Sequence, residues 1–137
     1  MKDDFASCVQ QAYRFLALRE HNTKELKAKL KQKGYSLPVI EKTLEFLTSE
    51  GSLSETRYIR LFILSNNRRH PEGKVLVLQR LAQKGADKEL SKQLADEIYT
   101  EDYTSELVQR ATEKIIKSGR EAELKARLFK LGLYTLV

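Results

Sequence analysis

Cysteine, proline, glycine and tryptophan are all scarce in this chain of 137 residues, which has one Cys, two Pro, six Gly and no Trp. The lone Cys8 excludes an intrachain disulfide framework and any thiolate zinc cluster. So little Gly and Pro cannot furnish the many tight turns of an all-β sandwich. Long apolar runs are missing as well: runs such as Leu61–Leu64 and Val75–Leu78 are far short of a membrane span. Asp3 and Asp4 stand near the N-terminus with no apolar stretch behind them, so no secretory signal is read and a reducing, cytoplasmic setting is expected.

What is present is 41% hydrophobic and 32% charged, the balance of an ordinary globular domain. The net charge of +6 favours acidic partners such as nucleic acid. Its sources are spread, with 9 bases against 7 acids in residues 1–50, 9 against 6 in 51–100 and 7 against 6 in 101–137. No basic tail stands apart, as expected of an extended surface with weak affinity everywhere.

Apolar spacing is helical nearly throughout: Val9, Ala12 and Leu16, then Leu26 and Leu30, then Ile40, Leu44 and Leu47 recur at three or four residues. The pattern continues through Ile59 and Ile63, Val77 and Leu81, Leu90 and Leu94, Leu107 and Ala111, and Leu124 and Leu128. Asn22 with Glu25, and Ser52 with Glu55, have the spacing of capping boxes. Gly34, Gly51, Gly85 and Gly132 fall where helices end in a left-handed residue, and Pro38 suits a first turn. The stretch Asn66–Gly73 reads as the longest loop. The class is all-α, with about eight helices.

The chain also repeats itself. Glu25-Leu26-Lys27-Ala28-Lys29-Leu30 returns as Glu123-Leu124-Lys125-Ala126-Arg127-Leu128, and each run is followed by a glycine four residues on, Gly34 or Gly132. Val77, Leu81 and Gly85 keep that spacing between them, with the glycines 51 and 47 residues apart. The expected architecture is a single repeat domain of three tandem three-helix repeats, 1–53, 54–100 and 101–137, in an elongated curved array. The last repeat is incomplete, since only Leu133–Val137 follow Gly132, and a frayed end is expected there.

Chemistry finds little to work with. Cys8 reads as a small buried hydrophobe, His21 as a solvated residue ahead of a cap, and His70 as part of a polar loop. No phosphate-binding glycine loop occurs, and the acid pairs Asp3-Asp4 and Asp96-Glu97 are consecutive, so on a helix they diverge. No catalytic residue, cofactor site or metal site is read. The basic residues do show organisation. Lys24, Lys27 and Lys31 fall on one helical stripe, with an ordinary solvated face as the plain alternative. Lys29, Arg80 and Arg127 each stand five residues before a repeat glycine, where they form a cationic row or merely snorkel over the core seam. Arg68 and Arg69 lie in the predicted loop and are contact candidates, with a plain solvated connector as the alternative.

Arg19-Glu20-His21, then Glu25-Leu26, Leu30 and Lys33-Gly34, resembles the opening module of the RecX family of bacterial recombination regulators. Leu47 with Gly51 and Leu53, Arg57-Tyr58, and Gly73 with Leu81 and Lys84-Gly85 continue the likeness. The resemblance implies a non-enzymatic protein of three tandem three-helix repeats. It implies binding in the groove of the RecA filament on DNA, curbing strand exchange, ATP hydrolysis and the RecA-assisted cleavage that triggers the damage response. The chain departs from the pattern in its short third repeat and in Leu131, which precedes Gly132 where the other repeats have Lys. The partner expected is therefore the RecA nucleoprotein filament, with weak contact to single- or double-stranded DNA, no membrane, and a monomeric regulator. Lys24, Lys27, Lys29, Lys31, Arg68, Arg69, Arg80 and Arg127 are its candidate contacts. The competing expectation is a RecA-independent helical nucleic-acid-binding module.

Overall fold

The computed structural model describes residues 1–134. They form eight α-helices and a short 3₁₀ turn: α1 (Phe5–Leu18), α2 (Thr23–Gln32), α3 (Leu37–Ser49), α4 (Glu55–Arg69), α5 (Lys74–Gln83), α6 (Lys88–Ile98), α7 (Glu101–Lys117) and α8 (Leu124–Lys130), with the turn at Glu121–Glu123. The fold is all-α, as the apolar spacing requires. The one extended pairing among the described residues is an isolated bridge between Lys2 and Tyr35. The chain divides into two compact units, Met1–Ile59 with Lys84–Asp87, and Arg60–Gln83 with Lys88–Val137.

In the first unit, α1, α2 and α3 enclose Cys8, Ala12, Leu26, Leu30, Tyr35, Ile40, Leu44, Leu47 and Leu53. Burial of each large aliphatic side chain contributes about 1.5–3 kcal/mol, and Leu26, Leu30, Ile40, Leu44 and Leu47 are among the residues whose spacing marked the helices. The Asn22–Glu25 capping box forms in full: the Asn22 side chain accepts from the Glu25 amide at 2.8 Å, and the Glu25 carboxylate accepts from the Asn22 amide at 2.9 Å. At the other end of α2, Gly34 takes φ 93°. Its amide bonds the Lys31 carbonyl, and the Tyr35 amide bonds that of Leu30, the paired bonds of a Schellman motif.

The second predicted capping box does not form. Ser54, not Ser52, accepts from the third amide of α4, that of Arg57, at 3.1 Å. Glu55 is drawn elsewhere: its two carboxylate oxygens accept from the amides of Thr23 (2.8 Å) and Asp87 (2.9 Å), binding segments distant in sequence. Asn22 makes a similar long reach, donating from Nδ2 to the Lys84 carbonyl at 2.9 Å.

The second unit holds the rest of α4, then α5 packed on α6 and α7 packed on α8. Ile63, Val77, Leu81, Leu94 and Ala95 are buried here, and Leu107, Ala111, Ile115, Leu128 and Leu133 form the core of the α7–α8 end. The buried Leu133 corrects the expected fraying at that residue; positions 135–137 lie outside the described residues. The predicted Asn66–Gly73 loop also shrinks to His70–Gly73, because α4 runs on to Arg69. It stops one residue before the His70-Pro71 step, where the residue preceding a proline is disfavoured in the helical region. At the loop's end the Gly73 amide donates to the Leu131 carbonyl at 2.7 Å, and a Cβ on Gly73 would stand 2.1 Å from the Gly132 oxygen. Asn22 and Gly73 thus do the same work 51 residues apart: each lies just ahead of a repeat's second helix and holds the carbonyl before the next repeat's glycine.

Candidate interaction surface

The turn into α2 is built around a histidine. His21 is 1% exposed, not solvated as the sequence suggested. Its Nδ1 lies 3.0 Å from the Arg19 carbonyl and its Nε2 2.8 Å from Lys29 Nζ. An ammonium can only donate, so Nε2 accepts and Nδ1–H donates, which fixes the neutral tautomer. Burial pushes the His21 pKa below its ordinary value, and the charges of Arg19 and Lys29 add to this against the Arg19 carbonyl bond. Arg19 forks onto Glu25 at 3.0 and 3.2 Å, which ties the turn to the capping box. Lys29 Nζ also lies 5.2 Å from the centre of the Phe15 ring.

The counterpart in the second repeat is an acid. Glu72, 3% exposed, takes Arg80 Nε and Nη2 on its two oxygens, both at 2.6 Å. Asn66 donates to the same carboxylate at 2.8 Å. Burial alone would raise the Glu72 pKa, but the Arg80 and Asn66 bonds outweigh it and hold it below the usual carboxylate value. Around this pair, Asn67 Nδ2 donates to the Tyr99 and Tyr103 hydroxyls at 2.8 and 2.9 Å, and the Tyr99 hydroxyl donates to the Glu72 carbonyl at 2.8 Å. Burial pushes the Tyr99 phenol up to about 12.

His21 and Lys29 are eight residues apart, as are Glu72 and Arg80, and both pairs keep the same distance from their repeat glycine. In the third repeat the position matching His21 is Gly119, and Arg127 turns instead to Glu123 at 2.8 Å. The three aligned cations, Lys29, Arg80 and Arg127, are thus all engaged within the chain. Of the other candidates, Lys24 and Lys31 are exposed on α2, and Lys27 lies between them, 4.0 Å from Glu41. The Lys24 stem runs past Gly85, where an added Cβ would meet its Cδ at 3.0 Å.

Arg68 and Arg69 occupy the exposed last turn of α4 rather than a loop. The reason lies on α7. Arg110 Nη2 donates to the carbonyls of Asn67 and Arg68 at 3.1 and 2.9 Å, and Lys114 Nζ donates to that of Arg69 at 2.8 Å. Side chains thereby satisfy the carbonyls that a helix C-terminus leaves open. Arg68, Arg110, Lys114 and Lys117, with Pro71 and Glu113, line a cleft of about 290 Å³. The sequence reading missed the three α7 cations, although their spacing of four and three residues marks one helical stripe.

Among the described residues no group of three or more His, Cys, Asp or Glu side chains converges as a metal site. The Cys8 thiol is buried and its pKa is pushed up by that burial. None of the described helices is long and apolar enough to cross a membrane. These features define a class, an all-helical repeat protein with cationic groups displayed at its surface.

Comparison with known proteins narrows that class. Residues 8–47 match the family model for the RecX first three-helix domain. The regulatory protein RecX of Pelodictyon phaeoclathratiforme (strain DSM 5477 / BU-1) is 34% identical over 123 residues, covering 90% of this chain and 74% of the relative. That of Prosthecochloris aestuarii (strain DSM 271 / SK 413) is 37% identical over 82 residues, and there the match spans 60% of this chain and only 54% of the relative. The crystal structure of RecX from Lactobacillus salivarius superposes with a TM-score of 0.77 at 16% identity, over 93% of this chain and 86% of that one. Another RecX crystal structure gives 0.75 at 17% identity, over 96% and 69%. At such identities the two structures speak for the fold. The chain belongs to the RecX family.

Proposed function

We propose that this protein binds the RecA nucleoprotein filament and lowers its ATP hydrolysis, strand exchange and coprotease activity. It acts as a cytoplasmic monomer with no catalysis of its own. Membership of the RecX family carries this reading. The charge distribution supports it: Lys24, Lys27 and Lys31 on α2, and Arg68 and Arg69 at the end of α4, offer positive charge to an acidic filament surface. Lys29, Arg80 and Arg127 contribute what their internal partners leave exposed. The three repeats, bounded at 1–53, 54–100 and 101–137, are the units through which the protein spans neighbouring protomers.

The test is RecA-driven strand exchange with the protein and with its Lys24→Glu/Lys27→Glu/Lys31→Glu variant. Wild type slows exchange, and the variant folds normally by circular dichroism but has lost most of that effect. Undiminished inhibition by the folded variant would remove α2 from the contact surface. A second reading, direct nucleic-acid binding without RecA, is favoured by one observation, the cationic cleft between α4 and α7.

A further inference from the structure

Four cations, Arg68, Arg110, Lys114 and Lys117, converge on that cleft against a single carboxylate, Glu113. Like charges gathered at this density repel one another, and a bound anion relieves the repulsion. Two of the four have internal work. Arg110 and Lys114 cover the last carbonyls of α4, which offsets the negative end of that helix. Neither is saturated by it: a guanidinium carries five N–H groups and an ammonium three, and the bonds described use Nη2 of one and a single N–H of the other. Arg68 and Lys117 are exposed. The cleft therefore offers donors on α4 and α7 to whatever anion enters.

Its size and charge restrict that anion. At about 290 Å³ the cleft is at the lower limit of small-molecule sites, which run to roughly 300–1,000 Å³. It is too small to enclose a whole organic ligand. A lone carboxylate would offset only one of the three surplus positive charges. Successive phosphates along a nucleic-acid strand bring one charge each and displace counterions as they bind. Arginine forks and lysine ammonium groups are the usual partners of such oxygens.

We propose that the α4–α7 cleft seats the phosphodiester backbone of DNA. Arg68 and Lys117 make the leading contacts, and Arg110 and Lys114 complete the donor set while holding the end of α4. The choice of DNA as the polyanion rests on the nucleoprotein-filament reading; the cationic convergence does not.

The experiment measures binding to labelled oligothymidine, and to a labelled duplex of the same length, by fluorescence anisotropy across a salt series without RecA. Arg68→Gln/Lys117→Gln is the test variant, because neither side chain holds the fold. Lys88→Gln/Lys92→Gln removes the same net charge from α6. For the single strand, the test variant binds severalfold more weakly. Its slope of log affinity against log salt is shallower by about 1.4, or about 0.7 for each phosphate left unneutralised, and the α6 pair changes less. A comparable weakening on the duplex extends the site to both forms, and a weakening confined to oligothymidine assigns it to single strands. An unchanged slope, or equal weakening in the two variants, overturns the proposal. So does intact DNA binding combined with failure to inhibit RecA, which would make the cleft a protein-binding surface. Failure of the filament reading would look different: no effect of wild type on RecA, with the slope difference intact.

Discussion

His21 and Glu72 occupy matching places in two repeats, and each meets a cation eight residues on, yet the two pairs respond to pH through different groups. His21 is held below its ordinary pKa by burial, so the unfolded chain binds that proton more readily than the folded one. Its contribution to stability is complete above about pH 6.5 and is lost as pH falls below that. Urea unfolding at steps from neutral to mildly acidic pH should show this loss, and His21→Gln should remove most of it; an unaltered profile would show that His21 does not titrate there. Glu72 has a lowered pKa, so its contribution persists above the ordinary carboxylate range and is lost only as pH falls through its folded value. The pair is also asymmetric. Arg80 is half-exposed and can return to water, whereas Glu72 cannot. Arg80→Ala should therefore cost about 3 kcal/mol by leaving a buried charge uncompensated. Glu72→Gln should cost about 1–2 kcal/mol for weakened hydrogen bonds. Equal losses in denaturant midpoints would contradict the asymmetry.

At the scale of elements, the turns carry the specificity. Gly34 needs its left-handed backbone but has open space where a Cβ would go. Gly34→Ala should cost about 1–2 kcal/mol, the ordinary penalty for that conformation. Gly73 faces the opposite constraint, since a methyl group would overlap the Gly132 carbonyl, and backbone cannot swing aside as a side chain can. Gly73→Ala should cost upwards of about 3 kcal/mol, the upper end of overpacking penalties, or release α8; thermal unfolding and amide exchange in α8 would read either. Most of the helices were legible in the sequence, because apolar spacing and the Asn22–Glu25 box are local signals. Ser52–Glu55 misled for a physical reason: the matching spacing was there, but Glu55 is claimed by two amides distant in the chain. Asn66–Gly73 misled likewise, since α4 is prolonged by side chains of α7 some forty residues on. Burial of His21 could not be read from its polar neighbours. Its equivalence to Glu72 appears once the repeats are aligned on their glycines, but alignment gives neither the burial nor the bond to Lys29. The α7 stripe of Arg110, Lys114 and Lys117 has a readable helical spacing, but it is not one of the positions that repeat along the chain.

At the scale of the whole molecule, 25 basic and 19 acidic residues leave a net +6, and several of the basic residues are paired within the chain without changing that surplus. Arg19, Arg57, Arg60, Lys74, Arg80 and Arg127 all sit on carboxylates. The exposed cations open to a partner include Lys24 and Lys31 on α2 and Arg68 and Lys117 at the α4–α7 cleft. A protein so arranged should bind bare DNA weakly and with strong salt dependence, and should bind more tightly where a protein surface adds to the phosphates. On the proposed function, the RecA filament is that composite surface. The most direct measurement is DNA-dependent ATP hydrolysis by RecA on single-stranded DNA, titrated with this protein beside its binding to the same DNA alone at the same salt. Half-maximal inhibition at a concentration well below that needed to coat bare DNA is the predicted result. Unaffected ATP hydrolysis together with tight binding to bare DNA would contradict it and leave a nucleic-acid-binding module in its place.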